Sequence, residues 1–376
     1  MNLKYSYPLV NIFGITVNID ISWLFAFLLV SFSISEGFYP HLYPNYPAYY
    51  YWLTGVISAI FLFISVLLHE LSHSLVAIRE GIPVRDIHLF IFGGVAMIEQ
   101  EPKSPFQEFK IAIAGPIMSF MLAALFFTFA YFYPKDDLFN GFINYLFLVN
   151  FFLGVFNLIP AFPLDGGRIL RSILWNKKGL LKATEIASKI GNYFGNFLIL
   201  MGILFFITGN FINGIWLVFL GIFIKRASKQ AYLSTKLYLF LSNYRVDNFL
   251  TTMTPLFHSD PIENYITMYY PFYRTKIYPV ISKNGDILYL NYEDIKKYPS
   301  FELENKTAGD FAKEIKFSVD PSDKLTTAYK IMLKNDLDEI PVMYNNTFVG
   351  LLKRDIIESI IKSKMGDIDE GSSDRR

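Results

Sequence analysis

The feature that most constrains this chain is an apolar stretch of membrane-spanning length that carries ionisable side chains. Residues 52–78 read WLTGVISAIFLFISVLLHELSHSLVAI, and about 20 apolar residues are enough to cross a bilayer as a helix. Near its end the stretch contains His69, Glu70 and His73 in the order H-E-x-x-H. Ionisable groups at membrane depth are expensive to bury, so we expect this helix to have a chemical task.

The spacing of the two histidines is that of a metal site. Positions i and i+4 of a helix share one face, so His69 and His73 can direct two imidazoles at one ion. Glu70 is adjacent and can act on a water at the metal as a general base without being a ligand. The alternative is a pair of histidines hydrogen-bonded within a helix bundle. With only 5 His in the chain, the complete pattern favours the metal site.

Composition divides the chain into a membrane part and a soluble part. Charged residues make up only 18% of its 376 residues, against about 25% in a typical soluble domain. Residues 1–225 hold the apolar blocks, and residues 226–376 hold most of the charge. The net charge of +1 gives no reason to expect nucleic acid as a partner. Because the chain has no cysteine, a metal must be held by His, Asp or Glu.

Charge between the apolar segments predicts how they cross the membrane. The connection 34–51 has no Lys or Arg, whereas segments 79–109 and 161–183 carry several. Cytosolic loops are enriched in Lys and Arg, so both termini are expected on the cytosolic side of the cell membrane. The same counting places His69 and His73 in the cytosolic half of the second span. The candidate spans are about 16–33, 52–78, 110–133, 138–160, 184–208 and 211–225.

The loop after the second span does not read as an ordinary polar connection. β-Branched and aromatic residues flank Gly93 and Gly94 in PVRDIHLFIFGGVAMIEQ, which predicts two short strands with a tight turn at these glycines. An exposed strand edge here could pair with an extended substrate peptide. A hairpin that merely closes the loop would explain the residues equally well. His88 is interpreted as a strand or interface residue.

The end of the fourth span, FNLIPAFPLDGGRILRSIL, presents a carboxylate from broken backbone. Pro160 and Pro163 cannot continue a regular helix, and the Gly-Gly pair permits a sharp turn. Asp165 is therefore predicted at the cytosolic end of this span. Catalytic zinc commonly takes three protein ligands, and Asp165 is the best third candidate. A turn or helix N-cap role is the alternative.

Other polar or small residues of the spans have two possible explanations. Asn157 could donate to a substrate carbonyl or simply bond within the bundle. Ala114-Gly115-Pro116 and Ser119 open the third span, where small residues permit close helix packing. Packing is a sufficient explanation there, so we assign these residues no chemistry.

HELSH in one span and FNLIPAFPLDGG at the end of another resemble the site-2 protease family of intramembrane zinc metalloproteases, over about residues 10–225. The resemblance implies one Zn²⁺ per chain, held by His69, His73 and Asp165, with Glu70 as general base. It also implies regulated intramembrane proteolysis, the hydrolysis of peptide bonds within transmembrane segments of membrane-tethered substrates. A metal-binding membrane receptor or transporter is the alternative, but it would have no need for a base at Glu70.

The soluble part contains an internal duplication. YPVISKNGDILYLNYEDI at 278–295 parallels IPVMYNNTFVGLLKRDII at 340–357. The repeat resembles a tandem pair of CBS domains, α/β regulatory modules that often bind adenosine nucleotides. One explanation of the tail is a regulatory CBS pair that also forms a homodimer. The alternative is a scaffold that recruits partner proteins. The predicted divisions are a transmembrane metalloprotease domain at 1–225, a linker helix at 226–245, CBS domains at 246–300 and 307–364, and a disordered tail at 365–376.

Both copies depart from the nucleotide pattern that the CBS resemblance implies. Gly350 and Asp355 match it in the second copy, but Lys353 stands near the position of a hydroxyl residue. In the first copy only Asp294 matches. Adenine nucleotide binding at these residues is therefore a hypothesis. The predicted fold as a whole is a multi-pass α-helical membrane protein of about six transmembrane helices, with a small membrane-associated β-hairpin and a cytosolic α/β CBS-pair domain.

Overall fold

The computed structural model describes residues 6–91, 93–98, 100–135 and 137–370. The chain divides into two compact units, Met1–Leu233 and Ser234–Arg376. The strands of the first unit are β1 (Ser6–Ile12), β2 (Ile15–Asp20), β3 (Val84–Phe90) and β4 (Gly93–Ile98). Its helices are α1 (Ile21–Ser33), α2 (Tyr39–Leu42), α3 (Ala48–Arg79), α4 (Pro105–Phe132), α5 (Leu138–Asn157), α6 (Asp165–Lys178), α7 (Leu180–Ile207) and α8 (Phe211–Ser242), of which the last continues into the second unit.

Six of the described helical segments are long and apolar enough to cross a membrane, which confirms the predicted number. They are Ile21–Leu42, in which a π-helical turn joins α1 to α2, and the helices α3, α4, α5, α7 and α8. The first span begins at Ile21 and not near residue 16, because residues 15–20 form β2. Asp20 starts the helix, since its Oδ1 accepts the backbone N–H of Ser22 at 2.9 Å.

The predicted hairpin is present but belongs to a larger sheet. Strands β1 to β4 form one four-stranded sheet in chain order, in which β2 and β3 are parallel and the other neighbours antiparallel. The prediction of a turn at the two glycines is wrong by two residues, because Gly93 already pairs with Phe90 as the first residue of β4. β4 is therefore an edge strand of this sheet.

The sheet packs against the helix that carries the histidines. Ile15, Val17 and Ile87 of the sheet are fully buried, together with Leu71 and Ala77 of α3. Alternation along a strand gives one face to this core. The packing fixes β3 and β4 alongside the cytosolic half of α3 predicted from charge.

The second unit shows the predicted duplication. One sheet has the order β5-β6-β7-β8, and β9 pairs with β10 in a hairpin that is extended by single bridges to Val319 and Thr251. Each copy has its own buried cluster, around Tyr278 in the first and Ile340 in the second. The strands are β5 (Leu256–Phe257), β6 (Ile277–Ile281), β7 (Ile287–Asn291), β8 (Lys313–Glu314), β9 (Glu339–Tyr344) and β10 (Thr347–Lys353), and the helices are α9 (Ile262–Asn264), α10 (Tyr270–Tyr273), α11 (Tyr292–Ile295), α12 (Ser300–Leu303), α13 (Leu325–Lys334) and α14 (Arg354–Glu370).

The ends of the soluble part differ from the sequence prediction. The predicted span at 211–225 and most of the predicted linker at 226–245 form one helix, α8, which ends at Ser242. Helix α14 runs to Glu370 and so includes residues 365–370 of the segment predicted to be disordered. Residues 371–376 lie outside the described part of the chain.

Candidate metal centre

Three side chains from two helices meet at one point in the membrane unit. The Nε2 atoms of His69 and His73 lie 3.2 Å apart. Each of them lies 3.1 Å from Oδ2 of Asp165. All three residues are buried. Among the described residues, they form the group of His and acidic side chains that could hold a metal ion.

Helix α4 sets which nitrogen of each histidine faces this point. His73 Nδ1 lies 2.6 Å from the backbone carbonyl oxygen of Ile111, which can only accept a hydrogen bond. His73 therefore carries a proton on Nδ1, and its neutral form has a lone pair on Nε2. His69 Nδ1 lies 2.8 Å from Oγ of buried Ser119, a hydroxyl that can accept from the same tautomer. Such outer partners orient metal-binding histidines.

Gly115 leaves the space that an ion between the histidines would need. A Cβ at this position would lie 2.2 Å from His73 Nε2 and 2.5 Å from His69 Nε2. Ile111, Gly115 and Ser119 are spaced by four residues, so they lie on one face of α4. Along that face, Ile111 supplies a carbonyl acceptor, Gly115 leaves space, and Ser119 supplies a hydroxyl.

The donor set fits zinc. Zn–N and Zn–O bonds of about 2.0–2.1 Å in tetrahedral geometry put neighbouring donor atoms about 3.3 Å apart, close to the separations of His69, His73 and Asp165. Two nitrogen lone pairs and a carboxylate oxygen repel one another unless a cation lies between them. Two neutral imidazoles and one carboxylate also leave a position for water in a four-coordinate site.

The backbone before α6 presents Asp165. Asp165 is the first residue of α6, and the N-cap position is held by Leu164 without a side-chain cap. A Cβ on Gly166 would lie 2.2 Å from the Leu158 carbonyl oxygen, and one on Gly167 would lie 2.5 Å from backbone atoms of Ala161. Only glycine permits this close return of the chain, which explains the Gly-Gly pair.

A buried ion pair joins α4 to α6 one to two helical turns away from the residues of the three-residue cluster. Arg171 Nε donates to Oε1 of Glu108 at 2.6 Å, and its Nη2 contacts the same oxygen. Glu108 has no exposed surface and Arg171 is 6% exposed. Arg171 also lies over the ring of Phe162, 5.2 Å from its centroid. This pair fixes the helix that presents Asp165 against the helix that orients the histidines.

The side chain of Glu70 extends from α3 to the edge strand β4. A Cβ on Gly94 would lie 2.4 Å from Glu70 Cγ, so the glycine lets β4 approach the carboxylate closely. The backbone N–H of Ala96 on the same strand points at Glu70, and the charge of Arg168 acts on it. The residue in the general-base position is thus in contact with the strand predicted to hold substrate.

The remaining predicted residues have contacts or conformations that do not involve the three-residue cluster. Asn157 ends α5, and its Nδ2 donates to the carbonyl oxygen of Leu153 in its own helix at 3.0 Å. Gly93 begins β4 with a φ of 127°, a conformation that favours glycine. His88 is a buried residue of β3 whose Nδ1 has no hydrogen-bond partner among the described residues.

The predicted nucleotide residues of the tail have internal partners. Both carboxylate oxygens of Asp294 pair with lysines, Lys297 at 2.9 Å and Lys313 at 2.7 Å. These hydrogen bonds hold the pKa of Asp294 below its usual value. Exposed Asp355 accepts from the N–H of Ile356 at 2.7 Å. Gly350 lies in β10, where a Cβ would be 3.0 Å from the Thr251 carbonyl oxygen.

Sequence reasoning missed the contribution of α4. Gly115 and Ser119 were assigned to packing, although their spacing puts both on one helix face, a signal that was available. The carbonyl of Ile111 carries no sequence signal, because any residue supplies that group. The Glu108–Arg171 pair was also missed, since its members are 63 residues apart.

Comparisons with known proteins agree on this part of the chain. The model of peptidase family M50 matches residues 57–143 and 135–202, which include both histidines and Asp165. Rip3 of Mycobacterium tuberculosis, whose name describes a zinc metalloprotease, is 34% identical over 293 residues, 76% of this chain and 74% of that protein. The solved site-2 protease from Methanocaldococcus jannaschii is 37% identical with a TM-score of 0.44 and covers 61% of this chain and 95% of its own. The CBS domain of a bacterial CNNM/CorC-family Mg²⁺ transporter, solved with ATP, is 19% identical with a TM-score of 0.29 and covers 34% of this chain and 94% of its own.

Proposed function

The chain belongs to peptidase family M50, the site-2 proteases, and is a zinc metalloprotease of membranes; on this premise we propose that His69, His73 and Asp165 bind one zinc ion and that Glu70 is the general base. The observation that carries the proposal is the meeting of both Nε2 atoms with the Asp165 carboxylate at separations of 3.1 and 3.2 Å. The tautomers supported by Ile111 and Ser119 leave lone pairs facing that point.

The residues around this point can carry out the steps of peptide hydrolysis. Zinc bound there supplies a Lewis acid that lowers the pKa of a water and polarises the scissile carbonyl. Glu70 accepts a proton from the water as the water oxygen bonds to the carbonyl carbon. Glu70 then returns that proton to the leaving nitrogen as the C–N bond breaks. The nitrogen also takes up the second water proton, so the products are a carboxylate and a protonated amine. The short contact between Glu70 and Gly94 keeps the base beside the edge strand.

The edge strand β4 is the part of the molecule best suited to hold the substrate. Substrates of an intramembrane protease lie in the membrane, where a helix hides its peptide groups in its own hydrogen bonds. The cut segment must therefore unwind. An extended segment can add to β4 as a further strand, because this edge is unpaired among the described strands and runs past Glu70.

The test is cleavage of a membrane-spanning substrate in proteoliposomes by wild type and Glu70→Gln. We expect the variant to retain zinc and to lose at least about 10²-fold in rate, because general acid–base catalysis contributes about 10²–10⁴-fold. Glu80→Gln is the matched control, since Glu80 ends the same helix and pairs with Lys110. Cleavage by Glu70→Gln at the wild-type rate would rule out Glu70 as the base and leave metal binding without hydrolysis as the better function.

The proposed orientation places both termini in the cytosol. It is supported by the Lys and Arg of segments 79–109 and 161–183 and by their absence from 34–51. The centre then opens towards the cytosolic face. Accessibility labelling of single cysteines at Arg85 and Tyr46, introduced into a chain without native cysteine, tests this directly: only the Arg85 position should react from the cytosolic side.

The tail is proposed to regulate the protease as a tandem CBS module that binds an adenine nucleotide at Gly350 and Asp355 and pairs in a homodimer. The support is the duplicated topology and the exposure of Asp355. Among the described residues its Oδ1 accepts from Ile356 and its other carboxylate oxygen has no hydrogen-bond partner, so that oxygen could accept from a ribose. Asp294 supports the first-copy site less well, because two lysines already occupy its carboxylate. Titration of the full chain with AMP, ADP and ATP should give binding that Asp355→Asn weakens. Absence of binding by wild type would remove the nucleotide from the proposal.

A further inference from the structure

Helix α6 carries two arginines one turn apart, and they have different environments. Arg171 is enclosed, with its guanidinium paired to buried Glu108. The side chain of Arg168 is 20% exposed. Its nearest recorded partner is Asp165, with Nη1 4.0 Å from Oδ1, which is too far for a hydrogen bond. Among the described residues, the Arg168 guanidinium has no hydrogen-bond partner, so its five donors remain available.

Arg168 faces the reaction centre and not the packing core. It lies one turn after Asp165 on the same face of α6, next to the carboxylate oxygen that does not face the histidines. Its charge also acts on Glu70. A permanent cation therefore lies beside the Asp165 carboxylate and acts electrostatically on that of Glu70, without being neutralised by a close ion pair.

Peptide hydrolysis creates a negative charge at this place. The bond between the carbonyl carbon and the nitrogen breaks, the water oxygen stays on the carbon, and both water protons end on the amine. A neutral amide is thus replaced by a carboxylate on the N-terminal fragment. Asp165 and Glu70 would repel that carboxylate, because like charges at short range disfavour each other. A guanidinium matches a carboxylate with two parallel hydrogen bonds.

We propose that Arg168 binds the carboxylate that cleavage forms on the N-terminal fragment, and so is the residue that recognises the carbonyl side of the cut bond. This inference rests on the proposed proteolytic function. It assigns Arg168 a binding role distinct from that of Arg171, which holds α6 in place. Peptides that end in a free carboxylate should then bind more tightly than the same peptides ending in an amide.

The test measures binding and not turnover. The probes are one fluorescein-labelled, ten-residue peptide of Leu and Ala made as the C-terminal acid and as the C-terminal amide, titrated into purified, zinc-loaded full-length protein. Wild type should prefer the acid by about 10-fold or more, since hydrogen bonds to charged groups have effects of this size. Arg168→Gln should reduce the preference by about 10-fold with unchanged zinc content, and Arg168→Lys should keep part of it.

Two control variants separate recognition from structure. Lys110→Gln removes a cation that pairs with Glu80 on the same membrane unit and should keep the full acid preference. Arg171→Gln should lower the yield of folded protein while the molecules that retain zinc keep the preference. An acid preference in Arg168→Gln equal to that of wild type would overturn the proposal. Loss of zinc from both Arg168 variants would also overturn it, because Arg168 would then act on Asp165. Since a product is the probe, a failure to detect cleavage by wild type would not change this result.

Discussion

The metal centre and the tail's candidate nucleotide residues were found by the same kind of sequence evidence, a motif with a spacing, yet their surroundings differ. At the centre, His69, His73 and Asp165 point acceptor atoms at one another, and polar groups of α4 hydrogen-bond to the far sides of both rings. In the tail, Asp294 has two lysine partners. The acceptor atoms of the first region are arranged to bind a cation, whereas the carboxylate of Asp294 is already paired with lysines of the tail.

This difference indicates which structural observation distinguishes a binding site from a sequence motif alone. Convergent acceptors are unfavourable in a folded protein unless a cation is bound, so their retention needs a reason. Paired surface charges need none, because such pairs are common and contribute little. Substitutions around the centre are therefore expected to act through the metal, whereas substitution of a tail residue whose charge is already paired, such as Asp294, should act through stability.

The largest effect is expected from Gly115→Ala. The added Cβ would lie 2.2 Å from His73 Nε2, in the space that the zinc needs. We expect zinc affinity to fall by at least about 100-fold, with loss of cleavage, while the helical signal in circular dichroism is unchanged. Gly37→Ala is the control, because a Cβ there meets no atom within 4 Å. Normal zinc content in Gly115→Ala would show that the ion does not lie between the histidines.

An intermediate effect is expected from Ser119→Ala. The substitution removes the partner of His69 Nδ1 but no ligand, and loss of such outer partners typically weakens metal binding about 10- to 100-fold. Excess zinc should therefore restore most of the cleavage rate, which distinguishes this variant from Glu70→Gln. Competition with a chelator of known affinity measures the change. An unchanged affinity would mean that Ser119 only fills space, as the sequence first indicated.

The smallest effect is expected in the tail, at Glu339. Burial raises the pKa of this carboxyl, although its Oε2 accepts the N–H of Ile277 at 2.9 Å. Above the unfolded-state pKa of about 4.3, the unfolded chain releases this proton more readily than the folded one, so stability falls as pH rises through the window up to the raised value. Glu339→Gln should raise the unfolding temperature of the tail by about 5 °C at pH 7 and leave it unchanged near pH 4.

Calorimetry of the full chain at several pH values measures that effect. Glu314→Gln, a change on the exposed strand β8, should show no such pH-dependent gain. An equal gain for Glu339→Gln at low and neutral pH would contradict the assignment, since a shape effect does not depend on titration.

The fold was largely predictable because its main signals are strong and local. Long apolar segments specify membrane helices, and the duplicated Pro-Val strands specify the two copies of the tail. The N-terminal hairpin β1–β2 was not predicted. Its second strand runs directly into α1, so one apolar run covers a strand and a helix, and hydropathy does not mark the boundary at Asp20. The turn was misplaced because Gly93 already pairs with Phe90 as the first residue of β4, and Gly94 serves the close approach to Glu70 and not the reversal of the chain.

Only the candidate-site residues that lie within the two sequence motifs could be predicted. H-E-x-x-H and the carboxylate at Asp165 were identified from residue type and spacing, since zinc ligands must be His or acidic in a chain without cysteine. What surrounds them was not, because a backbone carbonyl, a missing Cβ and an ion pair across 63 residues leave no local pattern. Arg168 shows the same limit, since only the structure distinguishes it from Arg171.

The central claim is that two imidazoles of α3 and one carboxylate of α6 share a single ion, and the metal content of purified full-length protein tests it most directly. Wild type, Asp165→Ala and Asp294→Ala should be exposed to the same mild chelator and their zinc counted per chain. We expect one zinc per chain in wild type and in Asp294→Ala, and close to none in Asp165→Ala. Full retention of zinc by Asp165→Ala would contradict it.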